Sequence, residues 1–303
     1  MRWHWRKPAF RPDLVVCGAI CDNPAMTSLV PDSPDGAATL WHSAFYKFVA
    51  LDDPDALVLR LRALTQALLG SVLIAEEGLN GVLAGTAAEL DAVEAALTAD
   101  PRFSDMTFKR SACTTPPFGR LKIHRKSEIV FMGVPGIDAV RPTGISVSPQ
   151  EWRALIAAED VVVIDNRNSF EYRLGKFNNA VDPLVANFRD FPKFIEANAP
   201  AWQAAGKRVA MYCTGGIRCE KTSAWMQDMG IPIYQLEGGI LNYFQTMPDA
   251  EKDWQGECFV FDNRIALDTR LNETGTTLED VYDGEPDGEW RLQRARRLAQ
   301  SGS

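Results

Sequence analysis

The segment KRVAMYCTGGIRCEKTSAWMQDMG, residues 207–230, constrains this chain more than any other. An apolar run over 207–213 ends at Cys213, a tight loop carries Gly215 and Gly216, and residues 219–230 read as a helix. A strand that is apolar on both faces fits a parallel sheet covered by helices on both sides. Neighbouring segments repeat the pattern. DVVVIDNR (160–167) reads as a second buried strand ending at Asp165, and PIYQLEGG (232–239) as a third. SPQEWRALI (148–156), RDFPKFIEANA and ILNYFQTM read as helices. The first opens with Ser148 as cap, Pro149 at the first helical position and Glu151 completing a capping box. Residues 148–250 are therefore expected to form an α/β domain with a parallel sheet.

The preceding residues follow another order. AFYKFVAL (44–51) reads as a strand. Residues 53–69 read as a helix capped by Asp53, with Pro54 in its first turn. SVLIAEE (71–77) and NGVLAG (80–85) read as two strands joined through Gly78, Leu79 and Asn80. Residues 86–100 form a second helix with Thr86 and Glu89 as a capping box, and MTFKRS (106–111) a closing strand. The order β-α-β-β-α-β predicts a ferredoxin-like α+β domain. RLKIHRKSEIVFM (120–132) adds a basic extended stretch, so this domain is placed at 41–132, with a Gly- and Pro-rich linker over 133–147. Residues 1–40, with five prolines, are expected to be an irregular extension. Residues 251–303 are expected to be a partly flexible C-terminal segment, because Asp268 to Glu289 contain eight acids, one arginine and few apolar residues. Arg291, Arg294, Arg296 and Arg297 then read as a solvated helix face.

The chain of 303 residues has a net charge of -8, so nucleic-acid binding would need a local basic patch. Six scattered cysteines without a CxxC pair imply no disulfide framework. Cys17 and Cys21 lack a second ligand pair, so no metal site is expected. The apolar run Leu14 to Ile20 is at the short limit for a signal peptide, and no run has the length of a membrane span. A cytoplasmic protein is expected.

Strand, tight loop and helix place Cys213 at the C-terminal edge of the sheet, where α/β proteins bind ligands. Loop N–H groups and the helix N-terminus favour its thiolate, and Arg218 adds a positive charge. Thr214, Gly215, Gly216, Ile217 and Arg218 form the candidate active-site loop, a ring of N–H donors around an anion. A cysteine phosphatase has five residues between its cysteine and arginine; here four separate Cys213 from Arg218. That smaller ring suits one extra sulfur atom better than a tetrahedral oxyanion. Cys219 packs against and orients the loop or serves as a resolving thiol. Asp165 and Arg167 are expected to support the site, Asp165 by capping its turn or by holding the loop arginine.

DNRNSFEYRLGKFNNAV (165–181), YCTGGIRCEKTSAWM (212–226) and YQLEGGILNYF (234–244) resemble the rhodanese domain. With YKFVALDDPDAL, EEGLNGVLAG, PPFGRLKIHRKSEIV and WQGECFVFDNRIAL, the chain resembles the oxygen-dependent tRNA uridine 5-hydroxylase family over about residues 41–268. The resemblance implies tRNA as partner, O2 as co-substrate, the wobble uridine as target and Cys213 as the active residue. No flavin, haem or iron motif is evident, and His4, His42 and His124 offer no facial triad, so no cofactor beyond O2 is expected. Many members of that family continue into a cysteine-rich tail; here the last cysteine is Cys258, so no such site is carried over. The alternative is a sulfurtransferase carrying persulfide sulfur on Cys213. The oligomeric state stays open.

Independently, Arg102 to Lys126 hold seven Lys or Arg against one acid. Lys109, Arg110, Arg120, Lys122, Arg125 and Lys126 are expected to contact RNA phosphates, and Phe108 and Phe118 to stack on bases.

Overall fold

The structure, a computed structural model, describes residues 40–141 and 144–300. Apart from Leu40, the expected extension and its Cys17 and Cys21 lie outside the described residues.

Strand β1 (Leu40–Phe48) leads to helix α1 (Pro54–Leu64), then β2 (Leu69–Ala75), β3 (Gly78–Gly85), α2 (Ala87–Thr98), β4 (Lys109–Cys113) and β5 (Leu121–Arg125). The Asp53 carboxylate accepts from Ala56 N at 2.9 Å, and Thr86 and Glu89 close the expected capping box. The sheet order is β4-β1-β3-β2-β5, with β5 parallel to β2 and the other pairs antiparallel. This is the ferredoxin-like order plus one edge strand. Strands β2 and β3 meet at Glu76 and Glu77, earlier than expected, since Gly78 already pairs with Ala75. One sheet face packs Phe45, Val72, Ile74, Leu79 and Leu83 against Leu57, Leu61, Leu90, Val93 and Leu97. The strand period of two turns Ala44, Tyr46, Ser71, Leu73, Asn80 and Val82 to the other face.

The second sheet is built from β6 (Ile145–Val147), α3 (Pro149–Ile156), β7 (Val161–Asp165), α4 (Ser169–Leu174), β8 (Gly175–Phe177), β9 (Ala180–Val181), α5 (Phe191–Ala204), β10 (Arg208–Tyr212), α6 (Ile217–Met226), β11 (Ile233–Leu236) and α7 (Gly239–Thr246). Its order β6-β11-β10-β7-β9 is parallel throughout. Strand β6 falls inside the expected linker: three residues are too few to show a period, and pairing with β11 makes them a strand. Behind β10, Phe177 meets Trp152, Tyr212, Tyr243 and Trp254 edge-on, with centroids 4.8 to 5.7 Å apart.

The C-terminal segment supplies β12 (Trp254–Gly256), β13 (Cys258–Phe259), β14 (Ala266–Leu267), α8 (Leu278–Tyr282) and α9 (Gly288–Gln300). Most of residues 268–289 are exposed or half-buried, and several of their acids cap and bridge. Glu273 accepts from the backbone N–H groups of Thr114 and Thr115, and Thr277 with Asp280 forms a capping box. Its few apolar residues are used efficiently: Leu267 and Val281 are buried, and Tyr282 meets Phe170 at 5.1 Å. Arg291 is not merely solvated, since it lies over the Phe170 ring and donates to Ala186 O.

Helix α6 is fixed to the first domain. Buried Lys221 donates to both oxygens of Glu77 at 2.9 Å, to Glu128 and to Val130 O, while Tyr46 Oη donates to Glu220 at 2.9 Å. These contacts set the helix that follows Cys213 against the open face of the ferredoxin-like sheet.

Candidate active site

Strand β10 delivers Cys213 to the sheet edge and α6 begins four residues later. Gly216 turns the chain with φ 105°, and a Cβ there would lie 2.9 Å from Tyr46 Oη. Its N–H donates to Cys213 Sγ at 3.1 Å. The start of α7 holds the loop from behind: Ile240 N donates to Cys213 O at 3.0 Å and Leu241 N to Thr214 O at 3.2 Å. A Cβ at Gly239 would sit 2.5 Å from Cys213 O, so only glycine permits this approach.

Burial would push the Cys213 thiol up, but hydrogen bonds from the Cys219 side chain and backbone and from Gly216 N–H, with the Arg218 charge, hold it well below the ordinary cysteine range. Cys219 moves the opposite way, raised by burial and by donating to Cys213. Of the two sulfurs, Cys213 is the one whose charged form the surroundings favour.

Two buried ion pairs frame the loop. Arg218 is gripped by Glu171, with Nη1 and Nη2 each 2.8 Å from a carboxylate oxygen, and Nη2 also contacts Thr214 Oγ1 at 3.3 Å. Asp165 instead pairs with Arg167 through Nε at 2.8 Å and Nη2 at 2.6 Å. The alternative in which Asp165 holds the loop arginine is thus replaced by Glu171. Residues 165 and 167 share one turn, whereas α4 carries Glu171 back to Arg218.

Lys109, expected on RNA, reaches the loop instead. Its Nζ donates to Gly215 O at 2.6 Å and Gly238 O at 2.9 Å. Burial lowers its pKa, partly opposed by Cys213 and Glu220. Both main-chain oxygens belong to the second domain, so Lys109 ties the two domains at the site.

The remaining basic residues do not form one patch. Strands β4 and β5 lie at opposite edges of the sheet, separated by four strand spacings or about 19 Å. Arg110 pairs with Asp91 and Glu94 on one edge. On the other, Arg125 pairs with Glu76, Arg120 and Lys122 line a shallow cleft with Arg62 and His124, and Lys126 is exposed. Pairing nevertheless aligns Lys109, Ala44, Val82, Ser71 and Lys122 in one row across the open face. Contiguity in sequence hid the first fact and strand register reveals the second.

A cavity of about 470 Å³ opens above Cys213. Its walls come from the loop, from the open sheet face through Ala44, Tyr46, Ser71 and Val82, and from the turn between β13 and β14. That turn contributes Phe261, Asp262 and Arg264, which face His42 of β1. Sequence reading gave His42 and this turn no individual role, because no local pattern marks residues that meet only in the fold.

Burial, followed by the nearby Arg264 charge, lowers the His42 pKa from 6.5 to about 4. The unfolded chain therefore binds this proton first as pH falls, so the stability that neutral His42 contributes is complete above pH 6.5 and is lost towards pH 4. Urea unfolding at pH 7 and 4.5 is expected to show wild type losing about 2 to 3 kcal/mol more than His42→Leu. Equal losses would show that His42 stays as easily protonated in the fold as outside it.

Comparison with known proteins agrees with this architecture. The family model described as a UPF0176 acylphosphatase like domain matches residues 41–129, and the rhodanese-like domain model matches 148–246. A protein of Jannaschia sp. (strain CCS1) named tRNA uridine(34) hydroxylase is 46% identical over 234 residues, covering 76% of this chain and 77% of its own. Proteins of the same name from Legionella pneumophila (strain Paris) and Bartonella bacilliformis are 40% and 45% identical, over 80% and 69% of this chain and 96% and 68% of theirs. With two domain models in register and long alignments at this identity, the chain belongs to the tRNA uridine(34) hydroxylase family.

Proposed function

We propose that this protein hydroxylates the wobble uridine of tRNA at C5 in the cytoplasm, with O2 as oxygen source and Cys213 as the active residue. The observation that carries the reading is Cys213, at the end of its strand with its sulfur accepting from Gly216 N–H, in a cavity walled by both domains. A base inside a folded RNA loop is out of reach unless it leaves its stack, and a deep pocket receives such a base. Phe131 and Phe261 line the cavity yet remain 52% and 62% exposed, which leaves aromatic surface at the mouth for neighbouring bases. The cleft with Arg120, Lys122 and Arg62 offers positive charge to the backbone farther along the sheet.

In this mechanism the Cys213 thiolate adds to C6 of uracil and moves electron density to C5. One atom of O2 bonds to C5, the C5 proton leaves and the thiolate is expelled, restoring the C5–C6 double bond. Two electrons and two protons from an external reductant convert the other oxygen atom to water. Arg218, through its charge beside Cys213, keeps the nucleophile ionised before attack and after release.

Mass spectrometry of tRNA nucleosides tests the reading. Cells lacking the gene, with no second route to the modification, are expected to lose 5-hydroxyuridine and its derivatives and to regain them with the wild-type gene. An unchanged nucleoside profile would overturn it. The Gly216 N–H that donates to Sγ in a loop of four residues between Cys213 and Arg218 favours a second reading, persulfide transfer. Strong thiosulfate sulfurtransferase activity together with an unchanged nucleoside profile would establish that one.

A further inference from the structure

The cavity wall opposite the loop is polar and costly. Asp262 and Arg264 form a bidentate pair, Nε to Oδ1 at 2.9 Å and Nη2 to Oδ2 at 2.7 Å, with both side chains under 5% exposed. His42 Nε2 lies 3.7 Å from Asp262 Oδ2, beyond hydrogen-bonding distance. Among the described residues, the third guanidinium nitrogen, Arg264 Nη1, has long contacts, 3.4 Å to Ser111 Oγ and 3.9 Å to Cys113 Sγ. Replacing a buried ion pair by well-packed apolar residues is often neutral or stabilising, so hairpin stability alone does not account for this one. It also stands at the wall of the cavity, beside apolar Ala44, Leu73, Val82 and Val260, with the polar Ser71, Asn80 and Asn168 elsewhere in the lining.

The chemistry of the wall selects a base. Arginine N–H groups only donate, so Arg264, a residue of the cavity wall, suits the O4 carbonyl of uracil and opposes the 4-amino group of cytosine, whereas O2 is common to both bases. Neutral His42 has one N–H and one lone pair, so it accepts from an imide N3–H or donates to a carbonyl. Asp262 holds the guanidinium plane in place, and its turn is itself fixed: Asn263 N donates to Pro117 O at 2.9 Å and Nδ2 to Pro116 O at 3.0 Å.

We propose that Arg264 and His42, with Asp262 positioning Arg264, form the base-reading wall of the cavity and select a pyrimidine with an unmodified imide edge, uracil over cytosine. The proposal rests on the hydroxylase reading and extends it to the residues that set specificity.

Equilibrium binding of anticodon stem-loops that differ only at the target nucleotide tests it, using uridine, cytidine or an abasic site. One good pair of base-edge hydrogen bonds corresponds to roughly five- to 150-fold discrimination, so wild type is expected to prefer the uridine loop by about that ratio. Arg264→Gln is expected to remove the preference and His42→Leu to reduce it, while affinity for the abasic loop stays near that of wild type. A variant that merely unfolds the hairpin would weaken all three loops together, so the uridine-to-cytidine ratio isolates base reading. The proposal is overturned if wild type shows no preference or if both variants retain it. Complementation separates the two levels: 5-hydroxyuridine restored by wild type alongside a retained ratio in the variants sinks the base-reading wall and leaves the hydroxylase reading standing.

Discussion

Cells that carry Cys213→Ala as their only copy are expected to lack 5-hydroxyuridine-derived nucleosides as completely as the deletion strain. Removing a covalent nucleophile leaves only binding and orientation, so a fall of at least about 10³-fold in rate is expected. Cys219→Ala is expected to act differently. It removes the donor that faces the Cys213 thiolate but leaves the nucleophile, Arg218 and the Gly216 N–H in place. A hydrogen bond to a charged group contributes about 1.5 to 3 kcal/mol, so the Cys213 pKa should rise by about one to two. Alkylation of Cys213 by iodoacetamide should reach half its maximal rate at a higher pH in Cys219→Ala than in wild type. In Cys219→Ala the rate should fall towards low pH, by about tenfold per pH unit below the new pKa. Coincident pH midpoints in the two proteins would remove Cys219 from the support of the thiolate. Normal nucleosides in Cys213→Ala would remove the nucleophile from the mechanism.

The parts of this site that sequence made legible are those encoded within one segment. Cys213, its glycines and Arg218 lie within six consecutive residues, and an apolar strand followed by a helix is enough to place them at a sheet edge. The ferredoxin-like order was legible because α1 and α2 carry explicit caps at Asp53 and Thr86. Everything assembled by tertiary pairing was hidden. Lys109 looks like a surface cation among others, and only the seating of β4 beside the loop sends it to Gly215 O. His42 reads as one strand residue, and its meeting with Asp262 depends on a segment more than 200 positions away. The acidic tail hides contacts in the same way, because composition counts charges without showing that Glu273 accepts two backbone N–H groups.

Glu171 is the clearest case of a hidden residue with a large expected effect. Its carboxylate is fully buried and held below the ordinary glutamate range: burial pushes it up, and the Arg218 charge and hydrogen bonds more than reverse this. Glu171→Gln leaves the Arg218 guanidinium buried with half its partner and no opposite charge from α4. Breaking a buried pair on one side costs about 3 to 5 kcal/mol, so the melting temperature should fall by roughly 10 °C. Since this pKa is depressed, the stabilisation is present above the unfolded-state value and disappears as pH falls through the folded one. Wild type should therefore converge on the variant in acid. The thiol should respond in the opposite sense from Cys219→Ala. With Glu171 neutralised, Arg218 acts on Cys213 uncompensated, so the thiolate is stabilised further and the alkylation midpoint does not move to higher pH. Glu171→Gln should thus lower stability and the yield of modified tRNA while leaving Cys213 ionised, which separates the ordering of the loop from the charge on its sulfur. An unchanged melting temperature would show that Arg218 finds another partner. An alkylation midpoint moved to higher pH would show that Glu171, and not Arg218 alone, keeps the thiolate in place.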